Sequence, residues 1–365
     1  MSTVVDAPRG RTAAWRPVLL VPAGVSLLAG LDAALLLLDL PAPVDADRLP
    51  DVHGMLLVLG FVGTLISLER AVALRTRWAL AAPVLLGAGA VLTLTPAPLR
   101  VGQAVLVAGA AALVAVYVPL WRRQADEAVL VQALGAALAA GAAVLWLGGV
   151  DVPVLLPWLM AFVVLTIAGE RLELARLAMG PSAGPVLVLL ATALSAAVVA
   201  ALLVPQAGSV LLGAALAGLV VWLATHDVAR RTVRATGLPR YMAACMLAGY
   251  AWALVAAAVW LTGGSVTDGG RYDAVVHAVF LGFTLSMIMA HAPVILPAVT
   301  GRSLPYHPAL YAPVASLHGS LVVRVWLGDG LGVPHAWRVG AVLNIVALLG
   351  FVALAASRVV VGARR

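Results

Sequence analysis

Seven histidines stand among the 365 residues of this chain, and two of them raise the first chemical question. His53 follows Asp51 by two residues, and His277 follows Asp273 by four, each at the start of a long apolar stretch. At a helical rise of about 1.5 Å per residue, the two imidazoles come to within a few ångströms of the same depth. Neutral imidazole is the commonest axial ligand of haem iron. Two histidines on facing helices at one depth are what a bis-histidine haem b requires. The alternative is that His53 caps a helix and His277 hydrogen-bonds a neighbour. Arg324 and Arg338 fall near the same level, where they would pair with haem propionates or snorkel to lipid headgroups. Gly54, Gly60, Gly63, Ala278 and Gly282 flank the two histidines and would give a flat macrocycle clearance.

Other polar residues lie deeper. His291 is fourteen residues past His277. A regular helix would place the two about 40° apart and about 21 Å apart in depth, too far to share one iron. With Glu69, Glu170 and His307 it could form a second polar cluster, as a proton inlet or as a site for copper or another metal ion. Alternatively, each Glu pairs with a nearby Arg. His318 falls in mid-stretch, as a proton relay, a metal ligand or a partner of Asp32. Asp32 is itself inside an apolar stretch and needs a partner or a proton. Gln132 and Asn344 fit helix-packing hydrogen bonds. His226 and His335 fall at stretch ends.

These residues need elements to hold them, and composition limits the choice. Hydrophobic residues make up 63% of the chain and charged residues 11%, with a mean hydropathy of +1.06. A soluble domain carries about a quarter charged residues, so there is too little polar surface here for a globule in water. That excludes a soluble enzyme and a disordered chain. One cysteine, Cys245, excludes an internal disulfide. The expected fold is all-α and polytopic, a single transmembrane domain in a lipid bilayer. Each span takes about 20 apolar residues. Twelve are legible: Pro17–Leu40, Asp51–Leu74, Trp78–Thr95, Val101–Trp121, Ala128–Gly148, Val152–Leu174, Val186–Val204, Ser209–Thr225, Tyr241–Leu261, Tyr272–Val299, Ala309–Leu327 and Ala336–Ser357. They divide the chain into an N-terminal segment 1–16, a helix bundle 17–357 and a basic tail 358–365.

All 23 basic residues are arginines, and they alternate between the two ends of the bundle. One end holds Arg48, Arg100, Arg271 and Arg338, Arg324 lies within a span, and the rest fall at the other end, from Arg9 to Arg365. By the positive-inside rule both termini are cytoplasmic, as in a bacterial-type inner membrane. The net charge of +7 therefore reports topology and not nucleic-acid binding. Tryptophans such as Trp15, Trp78, Trp121 and Trp337 fall near span ends, as an interfacial belt should. An internal repeat is also visible. Phe61-Val62 through Ile66 to Glu69-Arg70 and Arg75 matches Phe162-Val163 through Ile167 to Glu170-Arg171 and Arg176, 101 residues on. Leu59-Gly60-Phe61 is echoed by Leu281-Gly282-Phe283, which sets Glu69 opposite His291. Spans two, six and ten thus predict three four-helix units about a pseudo-threefold axis. The other reading is coincidence in a low-complexity chain.

This layout, with His53 and His277 on spans two and ten, resembles the catalytic subunit of the haem-copper oxidases. The resemblance implies a low-spin haem on those two histidines, its propionates meeting Arg324 and Arg338. The segments Val52-His53-Gly54-Met55 and His277-Ala278 to His291-Ala292-Pro293 are similar to the NnrS-type membrane proteins. That likeness implies haem and copper binding and a role in the response to nitric oxide. The chain departs from the oxidases where copper and the second haem are held. Spans six and seven contain no histidine, and position 275 is Val275. The functional expectation is a haem protein for electron transfer or nitric-oxide chemistry or sensing, with a redox partner, and not an oxygen reductase. If it is an enzyme, it is an oxidoreductase. The competing readings are a twelve-span transporter and a cofactor-free assembly protein.

Overall fold

A computed structural model describes residues 16–363, and side chains within 18–297 and 301–360. Arg9, Arg11, Trp15, Arg364 and Arg365, with most of segment 1–16 and the end of the basic tail, lie outside the described residues. Among the described residues the secondary structure is helical throughout, without strands. Eleven helices are long and apolar enough to cross a membrane. In chain order, with one shorter helix at α3, they are α1 Leu20–Leu37, α2 Leu49–Leu74, α3 Arg77–Thr93, α4 Leu99–Gln124, α5 Glu127–Leu147, α6 Val152–Met179, α7 Ala183–Leu203, α8 Pro205–His226, α9 Gly237–Gly263, α10 Gly269–Pro297, α11 Pro308–Gly330 and α12 Pro334–Val360. The twelve helices coincide with the twelve expected stretches. Ends shift by a few residues, and α3 stops at Thr93, where Thr93 and Thr95 hydroxyls turn back onto the carbonyls of Ala90 and Leu92.

Local chemistry sets the breaks. The Asp126 carboxylate caps α5 by accepting the Ala128 N–H at 2.8 Å. Pro153 lies in the first turn of α6, which ends at Gly180 with a φ of +89° that a side chain would resist. Burial is uneven among the helices, and three of them are central. The most apolar window of α6 is 78% buried and those of α2 and α10 are 67% buried, against 33–56% for the other eight long helices. These three meet one another pairwise and stand four apart in the chain. That is the arrangement expected of three four-helix units.

One feature leaves no trace in the amino-acid pattern. Three stretches widen from α to π geometry: Leu56–Gly63 in α2, Ala278–Leu285 in α10 and Val322–Gly330 in α11. The first two coincide at both ends under a shift of 222 residues, the offset that relates Leu59-Gly60-Phe61 to Leu281-Gly282-Phe283. The faint echo of α2 in α10 is thus a shared backbone irregularity. Helix α6 runs unbroken as α-helix through the corresponding turn. What it shares with α2 is the Glu-Arg pair further along.

Candidate functional site

The π stretches mark the site. His53 lies just before the one in α2, His277 immediately before the one in α10, and Arg324 inside the one in α11. Single π turns in α-helices are frequent at functional sites. A cavity of about 880 Å³ opens between them at the arginine-poor end of the bundle. His53, His277 and Arg324 all line it, with Leu31 of α1, Gln103 of α4, Trp146 of α5, Leu156 of α6 and Ile345 of α12.

Both imidazoles are held in the same way. His53 Nδ1 is 2.8 Å from the Gly30 carbonyl oxygen of α1. His277 Nδ1 is 2.8 Å from the Asp273 carbonyl oxygen, one turn earlier. A carbonyl only accepts, so Nδ1 carries the proton in each ring and Nε2 carries the lone pair. The Asp273 carboxylate also approaches His277 Nδ1 at 3.3 Å. The same carboxylate takes a fork of two hydrogen bonds from Arg324, Nε at 2.8 Å and Nη2 at 2.7 Å. Arg324 lies over the Trp337 ring, 5.4 Å from its centroid. One carboxylate therefore fixes both a histidine and an arginine of the cavity wall. Chemically, the cavity offers two imidazole lone pairs, one oriented cation and an otherwise largely apolar wall.

The other candidates separate. Arg338 is outside the cavity lining; it is half-exposed and 3.8 Å from Asp39. Of the small residues only Gly54 reaches the cavity. A Cβ on Gly60 would meet Ala90 and Ser26, and one on Gly282 would meet Trp252 at 2.4 Å, so these two permit helix packing and not a ligand. His291 donates from Nδ1 to the Met287 carbonyl oxygen at 2.8 Å. Its Nε2 lies 3.4 Å from Arg171 Nη1. The expected 40° relation to His277 assumed a regular helix. Residues 278–285 close i→i+5 turns and rotate less per residue, so that relation does not hold. His307 is exposed and caps α11, accepting the Ala309 N–H at 3.1 Å. His318 accepts the Trp252 indole N–H at 2.9 Å and meets Ser286 Oγ at 3.3 Å. Its anticipated partner Asp32 instead accepts the Val44 N–H at 3.1 Å, tying the first loop to α1. Among the described residues no group of three or more His, Cys, Asp or Glu is arranged to hold a metal ion.

Glu69 and Glu170 do come together, around Arg70, while His291 stands against Arg171. Gln132, anticipated as a packing residue, accepts from Arg70 at 3.0 Å. Asn344 donates to Ser320 at 2.6 Å, as packing requires. The residue overlooked in the sequence is Asp273. Its spacing of four before His277 places it on the same helix face, a signal that was available. No curated protein and no solved structure matches the chain. A family of domains of unknown function (DUF8744) matches residues 16–360. Since that match runs through all twelve helices, the chain belongs to the DUF8744 family.

Proposed function

We propose that this multi-pass membrane protein binds one haem b between His53 and His277 and serves electron transfer or nitric-oxide chemistry or sensing. The observation that carries the reading is that two imidazoles, each locked through Nδ1 to a backbone carbonyl, face one cavity. Three further points fit a haem. Neither Nε2 has a hydrogen-bond partner among the described residues, so both lone pairs are available. A cavity of about 880 Å³ is within the usual range of cofactor sites, roughly 300–1,000 Å³. Arg324 keeps Nη1 free of hydrogen bonds among the described residues, and a guanidinium in the wall suits an anionic propionate. Arg338 is not needed for that role.

Once bound, haem supplies one-electron chemistry and affinity for small diatomic gases. The chain's own residues set the tautomers of both ligands, orient the rings and keep bulk water from most of the cavity wall. Gly30 O and Asp273 are the groups behind the ligands, the positions that tune ligand basicity. The arginine distribution supports a cytoplasmic-membrane protein with both termini inside, which puts the cavity near the outer face. A redox partner would then reach it from that side.

Protein purified from haem-replete cells should show the reduced α-band of a six-coordinate b-type haem. His53→Ala and His277→Ala should each abolish it. A colourless preparation, or a six-coordinate spectrum that survives both substitutions, overturns the reading.

A further inference from the structure

At the opposite, arginine-rich end lies a second polar assembly that the haem reading does not use. Arg70 of α2 is 7% exposed and meets three carboxylates. Glu69 Oε1 is 2.5 Å from Nη2, Glu173 Oε2 is 3.2 Å from Nη1, and Glu170 Oε1 is 3.9 Å from Nη2. Gln132 of α5 accepts from Nη1 at 3.0 Å and donates to Glu173 at 3.3 Å. On the far side stands Arg171, which donates twice to Asp227, at 2.8 and 3.0 Å. Asp227 also accepts from Tyr250 and from the Ala229 N–H, both at 2.8 Å, so that pair is closed. His291 stands against Arg171, its Nε2 3.4 Å from Nη1.

Charge counting separates the members. Arg171 and Asp227 cancel. The Glu173 side chain is 44% exposed, at the water-facing edge of the group. Glu69 and Glu170 are left with one guanidinium between them. Both reach the same Nη2, so the two carboxyl groups are neighbours. Like-charged carboxylates at close range do not both ionise readily, least of all within a membrane span. Two donors are also unspent. The Tyr117 hydroxyl of α4, in a residue 2% exposed, has no hydrogen-bond partner among the described residues. Its charged neighbours are Arg70, Glu170, Glu69 and Glu173. Arg70 Nε is likewise buried without a partner.

We propose that Glu69 and Glu170 form a proton-binding site, holding one exchangeable proton between them that is loaded from the arginine-rich face through Glu173. The proton comes from water and converts one carboxylate to the neutral acid. No electron moves. The net charge of the two glutamates and Arg70 then rises from minus one to zero. The Tyr117 hydroxyl is a spare donor for whichever carboxylate oxygen the proton leaves bare. A divalent cation is a poorer occupant, because Arg70 already fills the centre. Site and cavity are separate: Glu69 is sixteen residues from His53, about 24 Å along the helix.

The test is infrared spectroscopy of the full-length protein in lipid, with and without deuterium exchange. At neutral pH the wild type should show the carbonyl stretch of a buried carboxylic acid that shifts in D2O. Glu170→Gln and Glu69→Gln should each remove or displace that band. Glu173→Gln should keep it but slow its deuterium shift. Glu170→Asp, which keeps the acid, should move the band without losing it and guards against loss through misfolding. A wild type with no acid band, or a band unmoved by both glutamine substitutions, overturns the proposal. The outcome is independent of whether haem is bound.

Discussion

Asp273 carries more of the site than either histidine shows alone. Its backbone carbonyl and carboxylate both address His277, and its two carboxylate oxygens hold Arg324. Groups behind a metal-ligating histidine typically contribute roughly 10–100-fold in affinity. Asp273→Asn keeps the size and the backbone bond but loses the charge. It frees Arg324 and weakens the orientation of His277. Haem titration of the purified apoprotein should show roughly tenfold or greater weakening for Asp273→Asn, while Arg338→Gln should bind as the wild type does. Equal loss in both variants would return Arg338 to the site and remove Asp273 from its centre.

At the scale of the helix, the glycines act mainly on packing. Gly282 of α10 sits against Trp252 of α9, so close that an added Cβ would lie 2.4 Å from the ring. Trp252 in turn donates to His318, so the contact pins α9, α10 and α11 together. Overpacking of this kind costs about 1–3 kcal/mol. Gly282→Ala should therefore lower the thermal midpoint in detergent. Gly218→Ala, where nothing lies within 4 Å, should leave it unchanged. The sequence reveals these helices well, because runs of about 20 apolar residues broken by Pro, Gly and Arg admit little else. It also brings out His53, His277 and the Glu69–Glu170 pairing, since spacing and depth follow from helical rise. The π stretches leave no such mark. Leu56–Gly63 and Ala278–Leu285 are as apolar as their surroundings, and every angular relation drawn across them was displaced. That is why His291 parted from His277's face. Tyr117 and Trp252 were equally silent: each finds its partners through contacts between helices far apart in sequence.

For the molecule as a whole, most charged groups collect at two ends, with neutral polar pairs such as Asn344–Ser320 and His318–Trp252 between them. The cavity lies at the end that is poor in arginine. The carboxylate assembly lies at the rich end, where exposed Arg176 of α6 also pairs with Asp126 and Glu127 of α5. By the positive-inside rule, the arginine distribution predicts which compartment each site would address. Reporter fusions after residue 360 and in the loop of Asp45–Arg48 should report opposite sides, the former cytoplasmic. A C-terminus on the outer side would exchange the compartments of both sites at once.

The π stretch of α2 lies between these two ends, with His53 on one side and Glu69 on the other. A widened turn is what a helix adopts when it accommodates an extra residue without breaking. Removing one residue from Leu56–Gly63 would let the turn relax to α geometry with its backbone bonds intact. The two halves of α2 would keep their mutual facing, because the widened turn had already absorbed that residue. The same deletion in the regular stretch Thr64–Leu74 would instead turn everything beyond it by about 100°, the angle of one helical residue. A one-residue deletion within Leu56–Gly63 should therefore keep both the haem band and the acid band better than one within Thr64–Leu74. The segment works as an angular buffer, taking up chain length while two distant sites stay facing inward on one rod.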